Sequence, residues 1–169
     1  MLETESSSSA TNADRAGPAR SPVFTIRWFS SAEELSPQLW TACFPPPLEG
    51  LWWYRALERA GVEDQFTFAY AGIERDGWLV GIAPCFQMDL SLEIVLPDAI
   101  APFVAWIGRM IPALRYQRTW FIGSPCSEEG TIGLIPDVTL TEVLPALAAA
   151  VEVKAAAARA HMIEIGRAS

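Results

Sequence analysis

The sequence predicts an α/β protein in which helices cover a mixed, mainly antiparallel sheet. The clearest signal is a hairpin, in which two runs of alternating apolar residues flank Asp76-Gly77, a strong two-residue turn. A second signal is a long helical row from Thr139 onward, followed by another strand. Because the hairpin places antiparallel pairing early and no GxGxxG motif opens a helix, a doubly wound nucleotide-binding fold is not expected.

The elements before the hairpin follow from local patterns. Residues 23–30 alternate as a strand, and "SSAEELSPQLWTAC" has a serine start and an acidic first turn, as a short helix does. The proline run in "FPPPLEG" excludes helix and ladder alike, so a connector is expected. A helix is predicted over "LWWYRALERA", with Gly61 as its stop. In the return strand of the hairpin, Pro84 predicts an edge position or a bulge.

The elements after the hairpin are less regular. Residues 90–114 are predicted to be mainly helical, broken at their prolines, and "RTWFIGSP" is predicted to be a strand. Thr139 and Glu142 have the spacing of a capping box. Pro145 predicts that this helix starts near Thr141 or kinks. The final strand begins in "HMIEIGRAS".

Composition limits the function classes. With 169 residues, 51% of them hydrophobic and 19% charged, the chain is long enough for one domain with a real core. The net charge of −8 argues against a nucleic-acid partner, which requires a basic surface. Residues 1–22 have no apolar signal-peptide core and are predicted to form a disordered leader before a domain over residues 23–169.

Cysteine and histidine usage gives the setting. Cys43, Cys85 and Cys126 are odd in number and widely spaced, so a reducing cytoplasm is the simplest location. His161 is the only histidine, so no metal site is expected. Residues 90–114 are long enough to cross a bilayer, but their charges and prolines favour a buried or surface-lying helix, with peripheral membrane contact as a weaker alternative.

Two stretches, "LWWYRALERAGVEDQFTFAYAGIERDGWLVGIAPCFQMDL" and "YQRTWFIGSPCSEEGTIGLIP", resemble the acyl-CoA N-acyltransferase (GNAT) fold. Within it they are similar to the FemAB-like acyltransferases of peptidoglycan biosynthesis or recognition. The resemblance covers about residues 44–166 and implies transfer of an acyl or aminoacyl group to an amine of a cell-wall or other small precursor. Such proteins have two GNAT-like halves, so the chain is expected to be a truncated first half, inactive alone, with acyl-CoA held mainly by the other half.

The loop after "RTWFIGSP" carries most of the candidate site residues. GNAT proteins bind the coenzyme A pyrophosphate with a Q/R-x-x-G-x-G/A loop, whereas here Gly130 and Gly133 follow Glu128 and Glu129, which would repel a diphosphate. The loop is therefore predicted to line a substrate groove or to serve only as a connector. For the groove, the candidate substrate-binding residues in the loop are Gly123, Ser124, Cys126 and Gly130.

Acyl transfer to an amine needs a base and donors for an oxyanion. Glu128 or Glu129 is the candidate catalytic base, and a solvated acidic turn is the alternative. Trp52 and Trp53 are candidate substrate-binding aromatics, because a helix seldom buries fully two indoles that point about 100° apart, so one of them is expected to face a groove. A non-catalytic GNAT-like binding or scaffold module is the alternative function, favoured by the absent pyrophosphate motif.

Overall fold

The computed structural model describes residues 22–62, 64–91, 106, 116–125 and 131–165. The strands of the described part are β1 (Phe24–Phe29), β2 (Thr67–Arg75), β3 (Trp78–Ser91), β4 (Tyr116–Ile122), β5 (Gly133–Leu134) and β6 (Met162–Ile165). The α-helices among the same residues are α1 (Pro37–Cys43), α2 (Leu51–Glu58) and α3 (Leu140–Ala157), with a 3-10 turn at Ala32–Glu34 before α1.

The strands form one sheet in the order β1-β2-β3-β4-β6, and β5 pairs with β3 beside that path. Neighbouring strands are antiparallel except β4 and β6, which are parallel and joined through α3. The predicted α/β class with a mixed, mainly antiparallel sheet is therefore confirmed. The predicted hairpin is also confirmed, with positive φ angles of 53° at Asp76 and 86° at Gly77.

Helices cover both faces of the sheet. On one face α3 presents Val143, Leu147, Val151 and Ala155, all buried and four residues apart. On the other face α1 and α2 pack an aromatic cluster against β2, in which the ring centroids of Trp40 and Tyr54 lie 5.2 Å apart. Two apolar clusters thus hold the sheet between them.

The predicted capping box of α3 is confirmed, whereas the segment predicted as one short helix from Ser30 is a 3-10 turn followed by the separate helix α1. Glu142 accepts a hydrogen bond of 2.9 Å from the backbone N–H of Thr139, as the capping box predicted. The helix begins at Leu140, within one residue of the predicted start near Thr141, and continues through Pro145. Thr141 and Pro145 both lie on the exposed side, where water can satisfy the carbonyl that the proline leaves unpaired.

Pro84 lies at the centre of the sheet, so the predicted edge strand or local bulge is wrong. β3 pairs with β2 on one side, where Pro84 faces Tyr70, and with β4 and β5 on the other. The extra residue of the hairpin is Val80, skipped where the register steps from Leu79 to Gly81.

The predicted helix from Leu90 is wrong at its start. Leu90 and Ser91 extend β3 and pair with Gln117 and Tyr116 of β4, because the antiparallel ladder continues past the apolar core. Trp106 is helical, and the rest of residues 92–115 lies outside the described residues, as does the predicted leader up to residue 21. No helix of the described residues combines the length and apolarity needed to cross a membrane.

Candidate functional site

The strand beside β3 is interrupted by the loop that carries the candidate residues. Ile122 at the end of β4 pairs with Cys85, and after residues 123–132 Gly133 of β5 pairs with Ile82. β5 pairs with β3 in the same antiparallel direction as β4 does. β4 and β5 therefore occupy the same position in the sheet, one after the other along β3. The loop is therefore an excursion from the middle of a sheet.

Pro84 of β3 lies beside the gap between β4 and β5, where a proline is tolerated. The N–H of Gly123 donates a hydrogen bond of 2.8 Å to the carbonyl oxygen of Pro84. Because the N–H and C=O of a strand residue point to the same side, a donor at position 84 would point into the gap between β4 and β5. Proline removes that donor, which explains why a buried central strand tolerates it.

Gly123 starts the excursion. Its φ of 128° lies in the region that favours glycine, so the chain can leave the ladder directly after β4. The next residue, Ser124, is buried, with 6% of its surface exposed. Two of the predicted substrate-binding residues thus lie at the exit of the loop from the sheet.

Trp53 contacts this exit directly. The indole N–H of Trp53 donates a hydrogen bond of 2.9 Å to the hydroxyl oxygen of Ser124. The helix α2 places Trp53 there because its neighbour Tyr54 occupies the core beneath. Two predicted site residues distant in sequence are therefore brought together by the fold.

Trp52 points elsewhere, as the spacing on a helix requires. It is 65% exposed, and its ring meets that of Trp53 edge to face at 5.7 Å. Trp52 lines an open groove between α1 and α2, and the groove has a volume of about 360 Å³. The other residues of this aromatic groove are Pro37, Trp40, Thr41, Phe44, Pro46, Pro47, Leu48, Gly50 and Leu51.

The remaining candidate residues cannot be placed. Cys126, Glu128, Glu129 and Gly130 lie outside the described residues. The site that the structure describes consists of Gly123 and Ser124 at the loop exit, with the two tryptophans of α2.

The start of α3 is a poor fit for the pyrophosphate of coenzyme A. The carboxylate of Glu142 already accepts from the N–H and the hydroxyl of Thr139 at 2.9 and 2.6 Å. Asp137 adds a second carboxylate, which pairs with Arg75 at 2.6 Å. A diphosphate would meet two anions and a cation that is already paired, so no step of the chemistry is assigned to coenzyme A at this position.

Gly133 serves packing instead of phosphate binding. A Cβ at this position would lie 2.5 Å from Cε2 of Phe44 and 2.8 Å from Cβ of Cys43. The glycine therefore lets α1 approach β5 closely. Its spacing from Gly130 does not mark an anion cradle.

Other charged and reactive groups near the sheet are already paired or are buried. Arg118 pairs with Asp89 at 3.1 Å. Burial raises the pKa of the Cys43 thiol to about 11 and that of Cys85 to about 12, so neither is a ready nucleophile. Within the described ranges no group of three or more His, Cys, Asp or Glu side chains is placed to hold a metal ion.

Sequence reasoning missed Glu58. Its carboxylate accepts hydrogen bonds from the Tyr70 hydroxyl at 2.7 Å, the Ala32 N–H at 2.8 Å and the Ser31 hydroxyl at 2.9 Å. A signal was present, because Glu58 follows buried Tyr54 by four residues and so shares its face of α2. These partners are structural, so Glu58 belongs to the support of the fold.

Comparisons with protein-family models, curated proteins and solved structures found no match to this chain.

Proposed function

We propose that the chain is an acyltransferase of the GNAT/FemAB-like type, which transfers an acyl or aminoacyl group to an amine of a cell-wall or small-molecule precursor. The sheet supports this proposal at the level of topology, because antiparallel strands lead to a parallel strand reached through α3. The observation that carries it is the hydrogen bond between Trp53 and Ser124, which joins the loop exit to the aromatic helix.

The described residues offer part of the required chemistry. The hydroxyl oxygen of Ser124 accepts from the indole N–H, so its own hydrogen can be donated to a developing oxyanion. Glu128 or Glu129 remains the proposed base that takes a proton from the incoming ammonium. Trp52 is proposed to hold the acceptor against the aromatic groove.

The test is an assay of acyl donors with a panel of amines, run on this chain and on a version extended downstream, in which the released thiol or product is measured. Ser124→Ala should lower kcat about 100-fold, the loss that follows removal of one oxyanion donor. Thr25→Ala, an exposed change on β1, is the matched control and should leave kcat unchanged. Transfer at the wild-type rate by Ser124→Ala would contradict the assigned role.

A non-catalytic binding or scaffold module is the second candidate. It is favoured by the start of α3, where Asp137 and Glu142 occupy the position at which a diphosphate would bind. Calorimetry with coenzyme A and acyl-CoA separates the two candidates when combined with the transfer assay. If neither the folded chain nor its extended version gives heat or transfer with any donor, the result supports the scaffold and contradicts the enzyme.

A further inference from the structure

A second concave site lies on the opposite face of the sheet, between α3 and the strands β4 and β6. α3 packs mainly over β1 and β2, so the sheet face at β4 and β6 is left partly open. The aliphatic slot that results has a volume of about 180 Å³. Its lining residues are Ile122, Ile132, Leu144, Leu147, Ala148, Val151, Glu152 and Ile163.

The lining is aliphatic and partly exposed. Leu144 is 43% exposed and Ile163 is 40% exposed, although both are large apolar residues. Ala148 lies between Leu144 and Glu152 on one row of α3, and its small side chain leaves room along that row. At 1.5 Å per residue, the row from position 144 to 152 is about 12 Å long.

Glu152 is the only charged residue that lines the slot among those the structure describes. It forms no ion pair with another described residue. Lys154 cannot neutralise it, because its ammonium lies 5.3 Å from the ring centroid of Trp28, on the other flank of the helix. The slot thus combines an apolar channel with one uncompensated negative charge.

We propose that this slot binds a small aliphatic primary amine, with its chain along Leu144 and Ala148 and its ammonium at Glu152. The volume accommodates about six groups of the size of a water molecule, which suits a chain of about six carbons. The carboxylate favours a cationic head and disfavours a fatty acid of the same length. Binding is inferred from the slot alone. It is a site separate from the aromatic groove and does not rest on the proposed function.

The experiment is calorimetric titration of the full chain with hexan-1-amine, hexan-1-ol and hexanoate, supported by NMR shift mapping. We expect saturable binding of the amine, weaker binding of the alcohol, and the weakest binding of hexanoate. Ala148→Leu fills the channel and should weaken amine binding at least tenfold. The fold should tolerate the change, because position 148 is exposed and leucine is a good helix former. Ala149→Leu, exposed on the next position of α3, is the matched control and should bind as the wild type does.

Glu152→Gln tests the charge separately. The substitution should weaken binding of the amine about threefold to fivefold, which corresponds to the energy of an exposed ion pair, and leave binding of the alcohol unchanged. The proposal is overturned if the amine gives no saturable binding, if hexanoate binds as tightly, or if Ala148→Leu has no effect. Self-association through this face that excludes the amine would also overturn it.

Discussion

The hydrogen bond between Trp53 and Ser124 links chemistry and packing at a single contact. Each residue was predicted as a site residue from its local context, an aromatic pair on a helix and a loop after a strand. Their contact could not be predicted, because it depends on how α2 lies across the sheet. Pro84 shows the same limit. A proline in a strand predicts an edge, and only the pairing of β4 and β5 reveals a gap in the centre of the sheet.

Removing the Ser124 hydroxyl, which accepts the hydrogen bond from Trp53, should measurably lower the stability of the fold. Ser124→Ala leaves the half-buried indole N–H of Trp53 without its partner, so we expect a loss of about 1–2 kcal/mol in the free energy of unfolding. Urea denaturation followed by tryptophan fluorescence measures it. In a double-mutant cycle with Trp53→Phe, additive effects of the two changes would show that the hydrogen bond contributes nothing.

The elements were predictable where their signals are local. The hairpin turn, the strand β1 and the capped start of α3 each have a short sequence signature. The short strand β5 has none, since its two residues pair with β3 only after the excursion of residues 123–132. The glycine at its start was considered as part of a phosphate loop, and its purpose becomes clear only from the approach of α1.

A substitution separates these two interpretations of Gly133. In Gly133→Ala the new Cβ would overlap the ring of Phe44 and Cβ of Cys43, and we expect a loss of about 1–3 kcal/mol in unfolding free energy. Gly50→Ala is the control, because the nearest atom to its new Cβ would be the carbonyl oxygen of Phe44 at 3.6 Å, an ordinary contact, so its effect should be smaller. Chemical denaturation compares them. Equal losses would contradict the packing role.

The cap of α3 predicts a dependence on pH. Hydrogen bonds from Thr139 hold the pKa of Glu142 below its ordinary value of 4.5, and the bond from the hydroxyl has the largest effect. Since the folded pKa is lowered, this stabilisation is present above 4.5 and is lost as the pH falls through the folded pKa. Glu142→Gln should therefore have a lower Tm than the wild type at pH 7, and the two should converge once the pH has fallen below the lowered pKa of Glu142.

Thermal unfolding followed by circular dichroism between pH 7 and pH 2.5 tests this prediction. Glu152→Gln on the same helix is the control, because no hydrogen bond or ion pair with a described residue is lost there. Its difference from the wild type should stay constant over the range. A Glu142→Gln difference that also stays constant would contradict the role of the cap.

At the scale of the whole molecule, the sheet is held between two apolar clusters that meet different needs. On one face α3 contributes an aliphatic row, which periodicity in the sequence predicted, against a sheet surface that includes Trp120. The face covered by α1 and α2 is aromatic. Its helical segments are short, so polar contacts are needed as well to hold them against the sheet. Glu58 provides them, since one carboxylate joins the chain after β1, the end of α2 and the strand β2.

Glu58→Gln should accordingly destabilise the fold more than an ordinary surface change. An amide has one acceptor oxygen and no charge, so its NH₂ group would face either the Ser31 hydroxyl or the pair formed by the Tyr70 hydroxyl and the Ala32 N–H, and the hydrogen bonds that remain lose their charge assistance. We expect a loss of about 2–3 kcal/mol in unfolding free energy, and about 1 kcal/mol for Tyr70→Phe, which removes one of the donors. Glu33→Gln is the matched control, because Glu33 is half exposed and pairs with Arg55 and Arg59 at the surface, a contribution of about 0–1 kcal/mol. Urea denaturation of the variants gives the comparison, and a loss in Glu58→Gln no larger than that in Glu33→Gln would show that the segments are held by their aromatic packing alone.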